Sequence, residues 1–165
     1  MNKINVLVND VLDYIGSVTA RNVLKMSDMN LIPVSITSCG VYRKTKINQT
    51  SIDLIDPGQV DDDLVPSSSL LVHGRPDVVV DFSLKSYFKS RIPAYLDSKT
   101  SYILRSNGSD DEEKMTKLIK GLGVNVIFMS VKSSEQEVLS AIRFLYEKNE
   151  QKTFSQVFAL ADINI

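Results

Sequence analysis

The chain has 165 residues, 43% of them hydrophobic and 24% charged, which is enough apolar material for one domain with its own core. Nineteen Lys and Arg side chains against twenty Asp and Glu leave a formal net charge of -1, which argues against a nucleic-acid or anionic-membrane partner. Cys39 is the only cysteine, so an intrachain disulfide and a multi-cysteine zinc site are excluded; with no signal or presequence pattern and no apolar run long enough for a bilayer span, a reducing, cytoplasmic location is expected.

In chain order, Ile4, Val6, Leu7 and Val8 form a short apolar run ending at Asn9-Asp10, the pattern of a buried parallel strand and its turn. Ile15, Val18, Val23, Leu24 and Met26 then recur at helical spacing, with Asp13 placed to cap the start. Residues 31–36 read as a second strand, where Pro33 marks an edge or a missing ladder bond. Residues 37–50, polar and carrying Arg43, Lys44 and Lys46, read as an exposed loop before a short strand at 51–55. A weak helical pattern at 60–71 is broken by Pro66, and Gly74-Arg75-Pro76 turns into a strand at 77–82 built on Val78, Val79 and Val80. A helix at 87–96, a strand at 102–104, a helix at 111–122 and a strand at 124–129 continue the alternation. Ser133 and Ser134, with Glu135 and Glu137 in the first turn, open a last helix to about Lys148 whose apolar face is Val138, Ala141, Ile142 and Leu145. Residues 154–160 read as one more strand.

Short apolar strands alternating with helices predict an α/β fold: a Rossmann-like three-layer sandwich with a mainly parallel sheet and right-handed crossovers. The expected division is a domain over 1–150 and a terminal strand, or the remnant of a further domain, over 151–165. Ligands on such sheets sit beyond the carboxyl ends of the strands.

Four blocks carry a resemblance to a known family. They are Ile4-Asn5-Val6-Leu7-Val8-Asn9 leading to Ile15-Gly16, Leu31-Ile32-Pro33-Val34-Ser35-Ile36, the strand end Asp81-Phe82-Ser83 after Val78, and the loop Arg105-Ser106-Asn107-Gly108 after Ile103. In order and spacing they resemble the N-terminal domain of dihydrodipicolinate reductase (4-hydroxy-tetrahydrodipicolinate reductase), especially its plant-type branch, an NAD(P)H-dependent enzyme of lysine biosynthesis. The resemblance implies a cofactor site at Asn9, Asp13, Tyr14, Ile15, Gly16, Ser35, Thr37, Asp81, Phe82, Ser83, Ser106, Asn107 and Gly108. It also implies a second domain with a histidine-rich motif and a lysine for the dicarboxylate substrate, beginning where this chain reads Asp162-Ile163-Asn164-Ile165, so the expectation is a domain without the catalytic half.

At the first turn only the last of the family's glycines, Gly16, is kept. Asp10 and Asp13 put carboxylates where a pyrophosphate needs backbone amides, and repulsion worth several kcal/mol is expected if the site is desolvated. The plainer reading is that Asp13 caps the helix and Gly16 lets helix and strand pack closely. No acid follows the second strand to hold a ribose 2′-hydroxyl; Ser35, Thr37 and Ser38 stand there with Arg43 and Lys44 beyond, which tilts any cofactor toward NADP(H), or else marks a solvated basic loop. Asp81-Phe82-Ser83 also suits a strand-to-helix cap, and Asn107-Gly108 a simple turn. Arg105 heads a loop that in the family is small and uncharged, where its bulk is expected to fill the nicotinamide space.

His73 is a surface-loop histidine on this reading, no catalytic residue is assigned, and the acidic runs 61–63 and 110–113 read as solvated helix starts, so no metal is expected. Three functions compete: a degenerate, non-catalytic reductase homologue (a pseudoenzyme) with weak or lost NADP(H) or NAD(H) binding, a truncated or split reductase, and an interaction module whose C-terminal strand pairs with another copy or an unknown protein partner.

Overall fold

The computed structural model describes residues 2–37, 43–55, 75–82, 100–106, 113, 116–117, 124–151 and 157–158. Among these, β1 (Ile4–Val8), α1 (Tyr14–Lys25), β2 (Met29–Leu31), β3 (Val34–Ile36), β4 (Lys44–Ile47), β5 (Thr50–Ile55), β6 (Val78–Asp81), β7 (Ser101–Arg105), β8 (Val126–Met129), α2 (Glu135–Glu150) and β9 (Val157–Phe158) follow in order. Six strands form one sheet in the order β2-β1-β6-β7-β8-β9, and every pairing in it is parallel. The chain is therefore an α/β protein of Rossmann-like arrangement. The reversal of strand order falls between β1 and β6, which places a crevice at their carboxyl ends.

Alternate residues of the central strands point to two faces. Val6, Val8, Val78, Val80, Ile103, Ile127 and Met129 join α1 and α2 in one apolar cluster, while Leu7, Val79, Tyr102, Leu104 and Val126 form another on the opposite face. Both sets are buried, as the near-continuous apolar text of these strands demands. Burying one such side chain contributes about 1.5–3 kcal/mol, so the sheet is the frame on which everything else is positioned.

α1 and α2 lie on the same face, yet β2 flanks the sheet on one side and β9 on the other. The crossover from β1 by way of α1 and that from β8 by way of α2 are therefore of opposite hand, so the expectation of uniformly right-handed crossovers does not hold for both. β9 meets α2 through aromatic contact: the Phe144 and Phe158 rings lie edge to face at 5.0 Å, and the Lys148 ammonium sits 5.2 Å from the Phe144 centroid.

The single strand expected at 31–36 is two strands in two sheets. β2 pairs with β1, the Ile32 N–H still reaches Val6 O at 2.9 Å, and then the chain turns at Pro33, with the Val34 N–H donating to Ile32 O at 2.8 Å. Beyond it β3 pairs with β5 in a separate three-stranded sheet. Pro33 has no N–H to offer the ladder, and its fixed φ suits the bend. The expected exposed loop at 37–50 is also corrected. Lys44–Ile47 forms a strand antiparallel to β5, closed by a two-residue turn in which Asn48 takes φ 54. Its polar text reflects one solvated face: Lys44 and Lys46 are exposed and Ile47 is buried.

α2 keeps the expected start. The Ser134 hydroxyl accepts from the Glu137 N–H while the Glu137 carboxylate accepts from the Ser134 N–H, a reciprocal capping box. Val138, Ala141, Ile142 and Leu145 are buried as expected, joined by Leu139, and the helix continues to Glu150. At the other end of the sheet, Asn149 gathers three strand starts: its Oδ1 accepts from Ser101 Oγ at 2.7 Å and Asn125 Nδ2 at 3.3 Å, and its Nδ2 donates to Asp77 O at 3.2 Å. The patterns at 60–71 and 87–96 lie outside the described residues. Of 111–122, Glu113, Thr116 and Lys117 are described and helical, with an i,i+4 ion pair of 2.7 Å between Lys117 and Glu113.

Candidate functional site

The carboxyl ends of β1, β3 and β6 are tied together by one side chain. Asn9, the residue after β1, is almost wholly buried; its Nδ2 donates to Asp81 Oδ2 at 2.8 Å and its Oδ1 accepts from the Ile36 N–H at 3.2 Å. Two residues expected at a cofactor site, Asn9 and Asp81, are thus brought together, but as partners of each other within the core. The chain then turns at Asp10, whose φ of 52 is the left-handed region that favours glycine and that aspartate tolerates better than most residues.

Gly16 explains why this turn is so tight. A Cβ at this position would lie 2.9 Å from Asn9 O and 2.7 Å from the Asp10 carbonyl carbon, nearer still to Asp10 O. Only glycine lets α1 descend onto the turn. This is the close helix-to-strand approach that both readings of Gly16 require.

The amides of the turn are mostly spent inside the protein. The Asp10 N–H donates to Ile36 O at 3.1 Å and the Asp13 N–H to Asp10 O at 2.9 Å, while the Val11 N–H donates to the Ser35 Oγ at 3.3 Å. Ser35 and Thr37, expected near a ribose, are both buried, and the Thr37 N–H donates to Ile55 O at 2.9 Å. What remains toward solvent is the first turn of α1, whose amides have no carbonyl within the helix.

Asp13 occupies the position before this turn, but its side chain makes no capping hydrogen bond, so the expected Asp13 side-chain cap is absent. The carboxylate is exposed. Exposure changes the magnitude: about 4 Å from a second negative charge it costs about 1 kcal/mol in water, not the several kcal/mol of a desolvated site. The positive end of α1 offsets about 0.3–1 kcal/mol of that.

Beside the turn, α1 and α2 enclose a cleft of about 230 Å³. The two helices run in the same direction. They are clipped where Arg143 meets Asp28 (Nε to Oδ2 2.7 Å, Nη2 to Oδ1 3.2 Å) and Met26 Sδ (3.6 Å), just beyond the end of α1. Arg143 holds the Asp28 carboxyl below its ordinary value, chiefly through this hydrogen bond. Tyr14, Ile15 and Phe82, all expected site residues, wall the cleft together with residues that sequence reasoning missed, notably Thr19, Asn22 and the loop from Ser130 to Ser134. Thr19 and Asn22 could have been found as polar interruptions of the stripe set by Ile15 and Val18. Tyr14 is 81% exposed, so its ring stands at the mouth. At the back of the capping box, hydrogen bonds from the Ser134 backbone and side chain hold the Glu137 carboxyl below its ordinary value.

Arg105 ends β7 in register with Met129, is partly exposed, and is not among the residues walling this cleft. The Ser106 N–H donates to Met129 O at 2.7 Å. Ser38, His73, Ser83, Asn107 and Gly108 lie outside the described residues. Among the described residues no group of three or more His, Cys, Asp or Glu could hold a metal ion, and no helix is long and apolar enough to cross a membrane. Compared with protein-family models and with curated proteins, the chain matches none of them.

Proposed function

We propose that this chain is a dihydrodipicolinate-reductase-like nucleotide-binding domain whose dinucleotide site has degenerated, so that it holds NADP(H) or NAD(H) weakly or not at all and is non-catalytic on its own. The observation that carries the reading is the β1 to α1 turn. It keeps the glycine required for close packing, yet it has an aspartate in the left-handed position, an exposed aspartate at the helix start, and the amides of Asp10, Val11 and Asp13 committed to internal acceptors. A pyrophosphate needs several of those amides and no facing carboxylate. The burial of Ser35 and Thr37 supports the same reading, because neither presents a free face to a ribose. The test is an assay of NADPH and NADH oxidation by the purified chain with a cyclic imine dicarboxylate. No turnover is expected, and robust turnover by the chain alone overturns the proposal.

A second reading, self-association or a protein partner at the C-terminal strand, is favoured by β9 standing last in the sheet order among the described residues, with β8 on one side. Sedimentation of the chain over a concentration series tests it. A monomer at all concentrations counts against self-association.

A further inference from the structure

The amino end of the sheet, remote from the β1 to α1 turn, is held by Asp77 and Asn149. Asp77 is fixed on several sides: its N–H donates to Asn5 O at 2.8 Å, its carbonyl accepts from the Ser101 N–H at 3.1 Å and from Asn149 Nδ2 at 3.2 Å, and its Oδ2 accepts from the Asn5 N–H at 2.7 Å. Asn149 also accepts from Ser101 Oγ and Asn125 Nδ2, so the last turn of α2 is tied to the starts of β6, β7 and β8. That turn is closed by the Gln151 N–H donating to Glu147 O at 3.0 Å, and as a helix end it opens at the lowest cost.

Asp77, Tyr146 and Glu150 wall one polar hollow of about 490 Å³. Among the described residues Lys3 is the one cation in its wall, and no ion pair joins Lys3 or the exposed Arg75 to either carboxylate. The cation of the turn itself, Lys148, lies over the Phe144 ring instead. Two carboxyls therefore meet the carbonyl end of a helix, which carries partial negative charge of its own. Burial, and after it the Glu150 charge, pushes the Asp77 carboxyl above its ordinary value against the Asn5 hydrogen bond; burial with the Glu150 and Asp77 charges pushes the Tyr146 phenol up. Ionising Asp77 strengthens its bond to the Asn5 N–H, so Asp77 stays in place and the repulsion is relieved at Glu150.

We propose that the last turn of α2 is a proton-operated latch on the amino end of the sheet, closed while Asp77 and Glu150 hold a proton between them and released when both are ionised. Release frees Asn149 and with it the tie from α2 to three strands. No dinucleotide is involved.

Backbone amide exchange of the full chain, followed by NMR from about pH 3.5 to about pH 7 and corrected for the intrinsic rate, reads the latch at the Gln151 N–H. Its protection is expected to fall about fivefold as pH rises through the Asp77 titration, the factor for two unit charges about 4 Å apart in water. Glu150→Gln, which keeps the size and removes the charge, is expected to hold that protection level over the same range, and Asp77→Asn to do so from the other partner. Level protection in the unaltered chain overturns the latch. So does a Glu150→Gln chain that loses protection as the unaltered chain does, because Asp77 would then act through its burial alone.

Discussion

Substituting alanine for Gly16 puts the packing of the β1 to α1 turn to a direct test. The new methyl would stand 2.7 Å from the Asp10 carbonyl carbon and 2.9 Å from Asn9 O. Neither carbonyl can retreat freely, because the Asn9 N–H is bonded to Val80 O at 2.9 Å, the Asp10 N–H to Ile36 O at 3.1 Å, and Asp10 O itself accepts from the Asp13 N–H at 2.9 Å. The helix has to lift, loosening Ala20 and Val23, which are fully buried beneath it. Overpacking costs about 1–3 kcal/mol, and a rigid backbone obstacle puts this site at the upper end. Alanine returns at most about 1 kcal/mol of helix propensity. The net loss is about 2 kcal/mol, which for a chain of this size lowers Tm by about 4–8 °C. Thermal melting followed by circular dichroism measures it, with Arg21→Ala as the control: Arg21 is exposed and bonds only locally, to Ser17 Oγ at 2.8 Å, so its loss is expected within about 0.5 kcal/mol. A Gly16→Ala protein that melts at or above the parent temperature refutes the packing.

Burial pushes the Asp77 carboxyl above its ordinary value of 3.8, against the hydrogen bond it accepts from the Asn5 N–H and with the help of the Glu150 charge. The folded state therefore binds this proton more readily than the unfolded one, and stability falls as pH rises from about 3.8 through the folded value. Asp77→Asn keeps an acceptor for Asn5 and should raise stability at pH 7 while flattening that window, as urea titrations across pH will record. The Asp28–Arg143 clip has the opposite sign: Asp28 is held low, so its contribution is present above 3.8 and is lost as pH falls through the folded value. Both side chains are about a third exposed, which limits Arg143→Met to about 1 kcal/mol in the same measurement. Ser134→Ala removes the α2 cap and should cost about 1 kcal/mol, with the Glu137 carboxyl rising toward its ordinary value by NMR titration.

The strands that make the sheet were readable because each is buried on both faces and so is written as an unbroken apolar run; Val78, Val79 and Val80 are the plainest case. The start of α2 was readable because a capping box is a local signal. What escaped was set by distant partners. Lys44 and Lys46 look like loop text until β5 supplies the ladder, and Pro33 announces a break without saying that the strand changes sheets. The hand of the β9 crossover depends on which face α2 occupies, which no local pattern states. At the site, Gly16 and the aspartates of the turn were visible in the sequence. The commitment of Asn9 and Ser35 to internal bonds was not, because their acceptors and donors lie 24 to 72 residues away. Thr19 and Asn22 signal themselves only as polar breaks, because a helix stripe is legible chiefly in its apolar members.

Calorimetric titration of NADPH into the unaltered chain and into an Asp10→Gly, Asp13→Gly double variant weighs the degenerate-site account most directly. Glycine suits the φ of 52 at residue 10, and removing an opposed charge worth about 1 kcal/mol at each position should tighten binding at least about tenfold over a weak or undetectable parent signal. Micromolar NADPH binding by the unaltered chain, with no gain in the double variant, contradicts it.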